Sequence, residues 1–345
     1  MQTIVIRCSA SATVGFGHLV RCRVLAEELN IRGHRVIMIG PPISLKNEVD
    51  ETVFFEWLPR EDWINAETEA SFHLNIAKRY DSKYFIIDDY RSDGEHQKKL
   101  REKGIRIVQQ YDASKKQQFA ANLVVNGSPY EKASFYNKDT LYDDVEFLLG
   151  PKYCILRPIF FNPKLKTNQK ERKILITFGG GSDRGAILYI LKNFYQAIAE
   201  KDWTLTIVVS DKNENIREIS NWINSKGYKN IELLVNPESM AEIMSTCSFA
   251  ILGGGTTIFE AAYLGIPSLL IPIADNQTDQ CIGWDSLGGM KYISNLNKFD
   301  GEKFNENLTS FLNDPSIIES YRKNLKTIID EHGYQRIIDK LLNYE

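Results

Sequence analysis

Short runs of β-branched and aliphatic residues recur along the chain, and between them apolar residues return every three or four positions. In the first half the runs at 3–7 (TIVIR), 35–39 (RVIMI), 84–88 (YFIID), 105–109 (IRIVQ) and 122–126 (NLVVN) predict strands. Between the first two, Leu19, Cys22, Leu25 and Leu29 are spaced by 3, 3 and 4, which puts them on one face of a helix ending at Gly33. That is one βαβ unit, and its repetition implies a parallel sheet. The second half restarts the alternation with strands predicted at 173–178, 204–209, 231–235, 249–252 and 268–271. Helices are predicted at about 185–200, 214–226, 237–246 and 256–264, and the tail from about 302 reads as helices broken at Asn313–Pro315 and near Gly333.

Between the halves, residues 158–173 (PIFFNPKLKTNQKERK) hold Pro158, Pro163 and a polar, basic run without periodicity. They predict a linker over 158–171 between domains 1–157 and 172–345, with a C-terminal helix that can pack back on the first domain. The length of 345 residues suits two domains of about 150 to 180 residues each. The expected fold is α/β: two Rossmann-like domains facing across a cleft bordered by the carboxyl ends of both sheets, where such sheets bind ligands.

Composition narrows the chemistry. The chain is 43% hydrophobic and 25% charged with a formal net charge of -3, which argues against general attraction to nucleic acid or to an anionic membrane. Any phosphate must be held locally. No run approaches the roughly 18 apolar residues that span a bilayer, and the opening MQTIVIRCSAS is too short for a secretory core, so no transmembrane segment is expected. The five cysteines, Cys8, Cys22, Cys154, Cys247 and Cys281, form no CxxC pair. That argues against a disulfide framework or a cysteine zinc site and fits a cytoplasmic protein. A monomer or weak dimer is expected.

Residues 8–18 (CSASATVGFGH) close on Gly15, Phe16, Gly17 and His18 where the first helix begins. A glycine-rich strand-to-helix turn lets a ligand approach the backbone and offers free N–H groups to an anion. A dinucleotide fold would want Gly or Ala at position 20 and an acidic residue ending strand two; Val20 and the sequence Gly40, Pro41, Pro42 exclude it, and no P-loop is present. An imidazole at a helix start is favoured in its neutral form, as a general base requires, though a histidine there can equally serve to cap or pack the turn. The second half offers Gly179, Gly180, Gly181, Ser182 and Asp183 before one helix, with the last two as N-cap candidates. It then offers Gly253, Gly254 and Gly255 before another, with Thr256 and Thr257 as caps. Glu260 either accepts hydrogen bonds from ribose hydroxyls or completes a capping box with Thr257. Asn276 and Gln277 open a further helix with amides suited to sugar hydroxyls. Asp88, Asp89 and Tyr90 end a strand on the first-domain side. His34 reads as a surface residue, and His73, His96 and His332 lack partners at metal-ligand spacing, so no metal and no cofactor are expected.

Several of these segments, taken in order over nearly the whole chain, resemble one family. They are Gly15–His18 with Arg21 and Cys22, IDDY at 87–90, LGPKYCILRPIF at 149–160, FGGGSD at 178–183, GGGTTIFE at 253–260 and DNQ at 275–277. The family is that of the UDP-2,4-diacetamido-2,4,6-trideoxy-β-L-altropyranose hydrolases of pseudaminic acid synthesis. The second half is also similar to the lipid II N-acetylglucosaminyltransferase, which implies the GT-B architecture. The resemblance implies metal-free, inverting cleavage of the anomeric C–O bond of a UDP-linked amino-deoxy sugar, with water as acceptor and UDP and free sugar as products. It implies His18 as the base and Tyr90 lining the sugar side. Glu260 would bind the ribose, Gly179–Gly181 and Gly253–Thr257 the diphosphate, and Asn276 with Gln277 the donor sugar. Gly15, Gly17, Arg21, Asp88, Asp89, Arg157, Ser182 and Asp183 complete the implied substrate-binding set. One position departs from the family pattern: Ser9 stands two residues after Arg7, where the family carries Asp. The alternatives are a metal-independent inverting glycosyltransferase with a similar donor, and a nucleotide-sugar-binding module without catalysis.

Overall fold

The structure is a computed structural model and describes residues 1–10, 17–112, 117–130, 140–167 and 171–343. It divides into two units, Met1–Arg157 with His332–Glu345, and Pro158–Glu331. In the first, the elements run β1 (Thr3–Cys8), α1 (Gly17–Ile31), β2 (Arg35–Gly40), α2 (Asp50–Val53), β3 (Glu56–Pro59), α3 (Ala66–Arg79), β4 (Tyr84–Asp88), α4 (Gly94–Arg101), β5 (Arg106–Gln110), β6 (Leu123–Asn126) and β7 (Glu146–Leu149). The strands form one parallel sheet in the order β3-β2-β1-β4-β5-β6-β7. Central strands such as β1 are buried along nearly their whole length, as expected where helices cover both faces of a parallel sheet. One face packs Val5, Ile37, Ile39, Phe85, Ile87 and Ile107 against α3 and α4. The alternate residues Ile4, Ile6, Val36, Met38 and Ile86 are also fully buried, and α1 packs against β1 and β2.

The second unit follows with α5 (Pro163–Thr167), β8 (Lys173–Thr177), α6 (Ala186–Ala199), β9 (Thr204–Val209), α7 (Ile216–Lys226), β10 (Ile231–Val235), α8 (Met240–Thr246), β11 (Phe249–Leu252), α9 (Thr257–Tyr263), β12 (Ser268–Leu270), α10 (Thr278–Ser286), β13 (Lys291–Tyr292), α11 (Gly301–Asn313) and α12 (Pro315–Ile328). Its parallel sheet has the order β10-β9-β8-β11-β12-β13, the same winding as the first unit. The core gathers Ile174, Ile176, Leu205, Ile207, Phe249 and Ile251 with side chains of α6, α7, α11 and α12.

The boundary differs from the expected linker. Pro158–Phe161 forms a 3-10 turn and Pro163–Thr167 a short helix, both within the second unit, so the change of unit falls between Arg157 and Pro158. The last helix, α13 (Gly333–Leu342), belongs to the first unit, where it packs against α1, β5, β6 and the turn Pro151–Tyr153. Tyr334, Ile337, Ile338 and Leu341 are buried there, each contributing about 1.5–3 kcal/mol. Gly333 starts this helix because a Cβ at that position would overlap the Cys154 carbonyl oxygen. No helix among the described residues is long and apolar enough to cross a membrane.

Candidate functional site

In each sheet the winding reverses once. The chain moves outward from β1 to β2 and β3, then returns to place β4 on the other side of β1. Loops leaving the carboxyl ends of β1 and β4 therefore diverge and open a crevice, the usual ligand position in such sheets. His18 lies at the start of the helix after β1, and Asp88 ends β4, with Asp89 and Tyr90 next. Two segments about seventy residues apart in sequence meet at this reversal.

His18 is buried, and its Nδ1 lies 3.2 Å from the Asp88 main-chain oxygen and 3.2 Å from Asp88 Oδ1. Both neighbours are acceptors, so in the neutral ring the proton belongs on Nδ1 and Nε2 is the nitrogen left to accept. The Tyr90 ring packs edge-on against the imidazole at 4.8 Å between centroids. Ser9, at the position where the family pattern has Asp, donates its backbone N–H to the same Asp88 oxygen at 3.0 Å.

Asp88 and Asp89 were expected to face substrate, and the structure turns both inward. Asp88 is fully buried and accepts Arg21 Nη2 at 2.6 Å as well as Arg21 Nε, with Cys22 Sγ at 3.7 Å. Asp89 accepts Arg7 Nε at 3.0 Å and Arg91 Nε and Nη2 at 2.9 and 2.8 Å. A buried carboxylate needs such partners, and these arginines supply them. Arg21 is equally committed: its Nη1 donates to Asp112 Oδ2 at 2.7 Å. The Tyr90 hydroxyl donates to Asp112 Oδ1. Asp112 escaped the sequence reading because it follows β5 alone, outside any motif. Desolvation and the Asp112 charge push the Tyr90 phenol well up. Desolvation opposes the charge of Arg21, but Asp112 and Asp88 outweigh it and keep the guanidinium charged. Desolvation likewise acts upward on the Asp112 carboxyl, yet Arg21 and the Tyr90 hydrogen bond hold it well below the usual carboxylate range. The resting state is a carboxylate–guanidinium–carboxylate chain beside a neutral phenol.

Deeper in this unit, Arg7 is fully buried and also donates from Nη1 to the Arg60 carbonyl at 2.7 Å. His73 and His96, which the sequence sets at no metal-ligand spacing, bond to each other, Nδ1 to Nε2 at 2.9 Å, and His96 Nδ1 meets Ser92 Oγ at 2.9 Å. Burial pushes both imidazoles down, His96 to about 4.

In the second unit the reversal lies between β8 and β11, and both glycine-rich segments leave from it. Gly179, Gly180, Gly181 and Gly255 are exposed, with no atom within 4 Å of where a Cβ would stand, so a ligand can reach their backbone. Asp183 is buried instead: its Oδ2 accepts Ile187 N at 2.9 Å and its Oδ1 accepts Asn215 Nδ2 at 2.7 Å. It thus ties down the start of α6, which begins two residues later than a cap at Asp183 would place it. Ser182 Oγ accepts Arg184 N at 3.0 Å and donates to Glu214. Gln277, expected near a sugar, is occupied by backbone: its Oε1 accepts Gly254 N and Ile273 N, each at 3.0 Å. A Cβ at Gly254 would overlap the Gln277 side chain, so this close approach requires glycine. Gln280, not singled out in the sequence, donates to the Gly254 carbonyl at 2.8 Å.

Thr256 is the N-cap of α9 without a side-chain capping bond. Glu260 then falls one position beyond the residue that a capping box needs, which disfavours that alternative; its side chain is buried in the first turns of the helix. Thr256 and Asn276 are exposed and Thr257 partly so. Beside these loops Arg184, Pro272–Asp275 and Asn295–Asn297 line a cavity of about 340 Å³. Of the remaining expected residues, Gly17 is exposed at the first position of α1, Arg157 is partly buried at the end of the first unit, and Gly15 lies outside the described residues.

Comparisons with known proteins agree with this fold. The chain is 28% identical over 290 residues to the uncharacterized protein MJ1062 of Methanocaldococcus jannaschii, a match covering 78% of this chain and 55% of that protein. The chain thus spans about half the length of that archaeal relative. It is 23% identical over 263 residues to the UDP-2,4-diacetamido-2,4,6-trideoxy-beta-L-altropyranose hydrolase of Campylobacter jejuni, covering 76% of this chain and 88% of that one. Among solved structures, MurG of Acinetobacter baumannii superposes with a TM-score of 0.69 over 99% of both chains at 13% identity, a likeness of fold that meets the GT-B expectation. The sequence model of the lipid-A-disaccharide synthetase (LpxB) family matches residues 129–339. Because that match spans more than half of its residues, the chain belongs to the lipid-A-disaccharide synthetase family.

Proposed function

We propose that this protein hydrolyses a UDP-linked amino-deoxy sugar by inverting cleavage of the anomeric C–O bond, the second unit holding the nucleotide and the first supplying His18. The observation that carries this reading is the placement of two Asp88 oxygens at His18 Nδ1. With Nδ1 facing two acceptors on Asp88, Nε2 is the basic atom of the ring. Nε2 takes a proton from water, the water oxygen bonds to the anomeric carbon, and the electron pair of the breaking C–O bond leaves with UDP. Backbone N–H groups of the open Gly179–Gly181 and Gly255–Thr257 turns hold the leaving diphosphate, and Glu260 the ribose. The named activity of the Campylobacter jejuni relative supports this substrate class.

A second reading passes the sugar to an alcohol or amine acceptor through the same base and the same nucleotide half. The lipid-A-disaccharide synthetase match and the MurG-like fold favour it. Incubating purified protein with a panel of UDP- and other nucleotide-sugars, with and without acceptors, and following products by NMR separates the two. Release of UDP and free sugar without acceptor is the expected result, and turnover only with an acceptor supports transfer instead. His18→Asn should lower turnover by roughly 10²- to 10⁴-fold while UDP affinity stays the same. Unchanged turnover in that variant refutes His18 as the base.

A further inference from the structure

Five groups from four segments converge on His18: Arg21 and Cys22 of α1, Asp88 at the end of β4, Tyr90 just beyond it, and Asp112 after β5. Cys8 of β1 adjoins Cys22, whose thiol burial keeps protonated. Arg7, Asp89 and Arg91 form a separate cluster with their own pairings. The inner set therefore holds two carboxylates, one guanidinium and a neutral phenol, one negative charge in excess. A proton taken up by His18 neutralises that excess.

We propose that Asp112 is a positioning residue of the His18 site, acting through Tyr90 and Arg21 and supplying the excess negative charge that stabilises the protonated imidazole. Its two oxygens divide the work. Oδ1 accepts the Tyr90 hydroxyl, which fixes the ring packed edge-on against His18. Oδ2 accepts Arg21 Nη1 at 2.7 Å, which leaves Arg21 Nε and Nη2 aimed at Asp88, and Asp88 in turn faces His18 Nδ1. Without the Asp112 charge, Arg21 and Asp88 cancel and the protonated ring has no surplus carboxylate to offset it. Asp112→Asn keeps the shape of the side chain, so its charge can be removed without leaving a hole.

The catalytic part of this inference rests on His18 being the base, but its test does not depend on turnover. In Asp112→Asn, an NMR titration of the His18 ring, assigned by its loss in His18→Gln, should show a midpoint lower by roughly half a pH unit or more. Asp112→Glu, which restores the charge, should keep the parent midpoint. Asp112→Ser, which also withdraws both carboxylate oxygens from Tyr90 and Arg21, should move the midpoint the same way as Asp112→Asn. With substrate, Asp112→Asn should lower kcat roughly tenfold, leave KM within about twofold, and move the acid limb of the rate profile to lower pH. An unchanged His18 midpoint in both Asp112→Asn and Asp112→Ser overturns the proposal. Absence of turnover in every variant, with the midpoint shifted, would instead count against the hydrolase reading alone.

Discussion

Asp88 is the residue on which the first unit's site depends most. It joins the His18 ring, the Arg21 guanidinium and the Ser9 backbone from a fully buried position. Asp88→Asn keeps the shape but removes the charge that Arg21 and His18 share, and its amide nitrogen presents a donor to groups that need an acceptor. Turnover should fall about 10²-fold, and thermal unfolding should report a loss on the order of 2 kcal/mol, because Arg21 keeps only Asp112. A variant that melts like the parent and turns over normally would show that the dyad is incidental. If the second unit holds the nucleotide as proposed, Gly254→Ala should weaken UDP binding in calorimetry, because the added methyl displaces Gln277 and with it the turn that Gln277 and Gln280 hold. How much of this could be read from sequence follows from what the residues do. The open glycines stood out because small residues at strand ends have few uses besides a close backbone approach, and His18 because it closes such a turn, whereas Tyr90 stood out only through the family resemblance. The inward roles of Asp88 and Asp89 did not, since a carboxylate at a strand end looks the same whether it meets solvent or a buried arginine, and Gln277 shows its backbone partners only in the folded turn. Asp112 and Gln280 acquire their partners only through tertiary contact.

Strands were legible where burial is continuous. β1, β2, β4, β8, β9 and β11 are central, covered on both faces, and read as unbroken apolar runs. The three strands missed, β3, β7 and β13, are edge strands of two to four residues, and their apolar runs, at most the three residues Phe147–Leu149, are too short to mark a strand. The helix pattern was equally informative for α6, α7 and α11, whose apolar faces close one core. Between α3 and α4 the His73–His96 pair gives the first unit a pH dependence of its own. Both rings are buried and held below the ordinary value of 6.5, so on acidification the unfolded chain takes up protons that the folded chain refuses. Stability conferred by the neutral pair is complete above pH 6.5 and declines as pH falls toward about 4. The loss is about 1.4 kcal/mol per pH unit for each histidine. Melting temperature followed across that window should fall steeply in the parent and less steeply in His96→Gln. Equal slopes would mean that the pair titrates the same way folded and unfolded.

Taken whole, the chain leaves its first unit at Arg157, builds the second through Glu331, and re-enters the first with α13. The α13 side chains belong energetically to β5, β6 and α1, although nearly all of the second unit separates them in sequence. Ile338→Ala should cost roughly 2–4 kcal/mol, and hydrogen exchange should speed up in β5 and β6 while β8 and β9 keep their protection. Uniform loss across both sheets would indicate a single cooperative unit instead. The returning helix also carries a kinetic meaning for a chain made from its amino terminus onward. The second unit can close as soon as residue 331 has emerged, whereas the older one waits, with the flank of its sheet bare, for the last helix to be synthesised. The unit that carries His18 is thus completed only after the second unit, when α13 joins it, and a nascent chain stalled before Gly333 would hold a closed second sheet and an open first one.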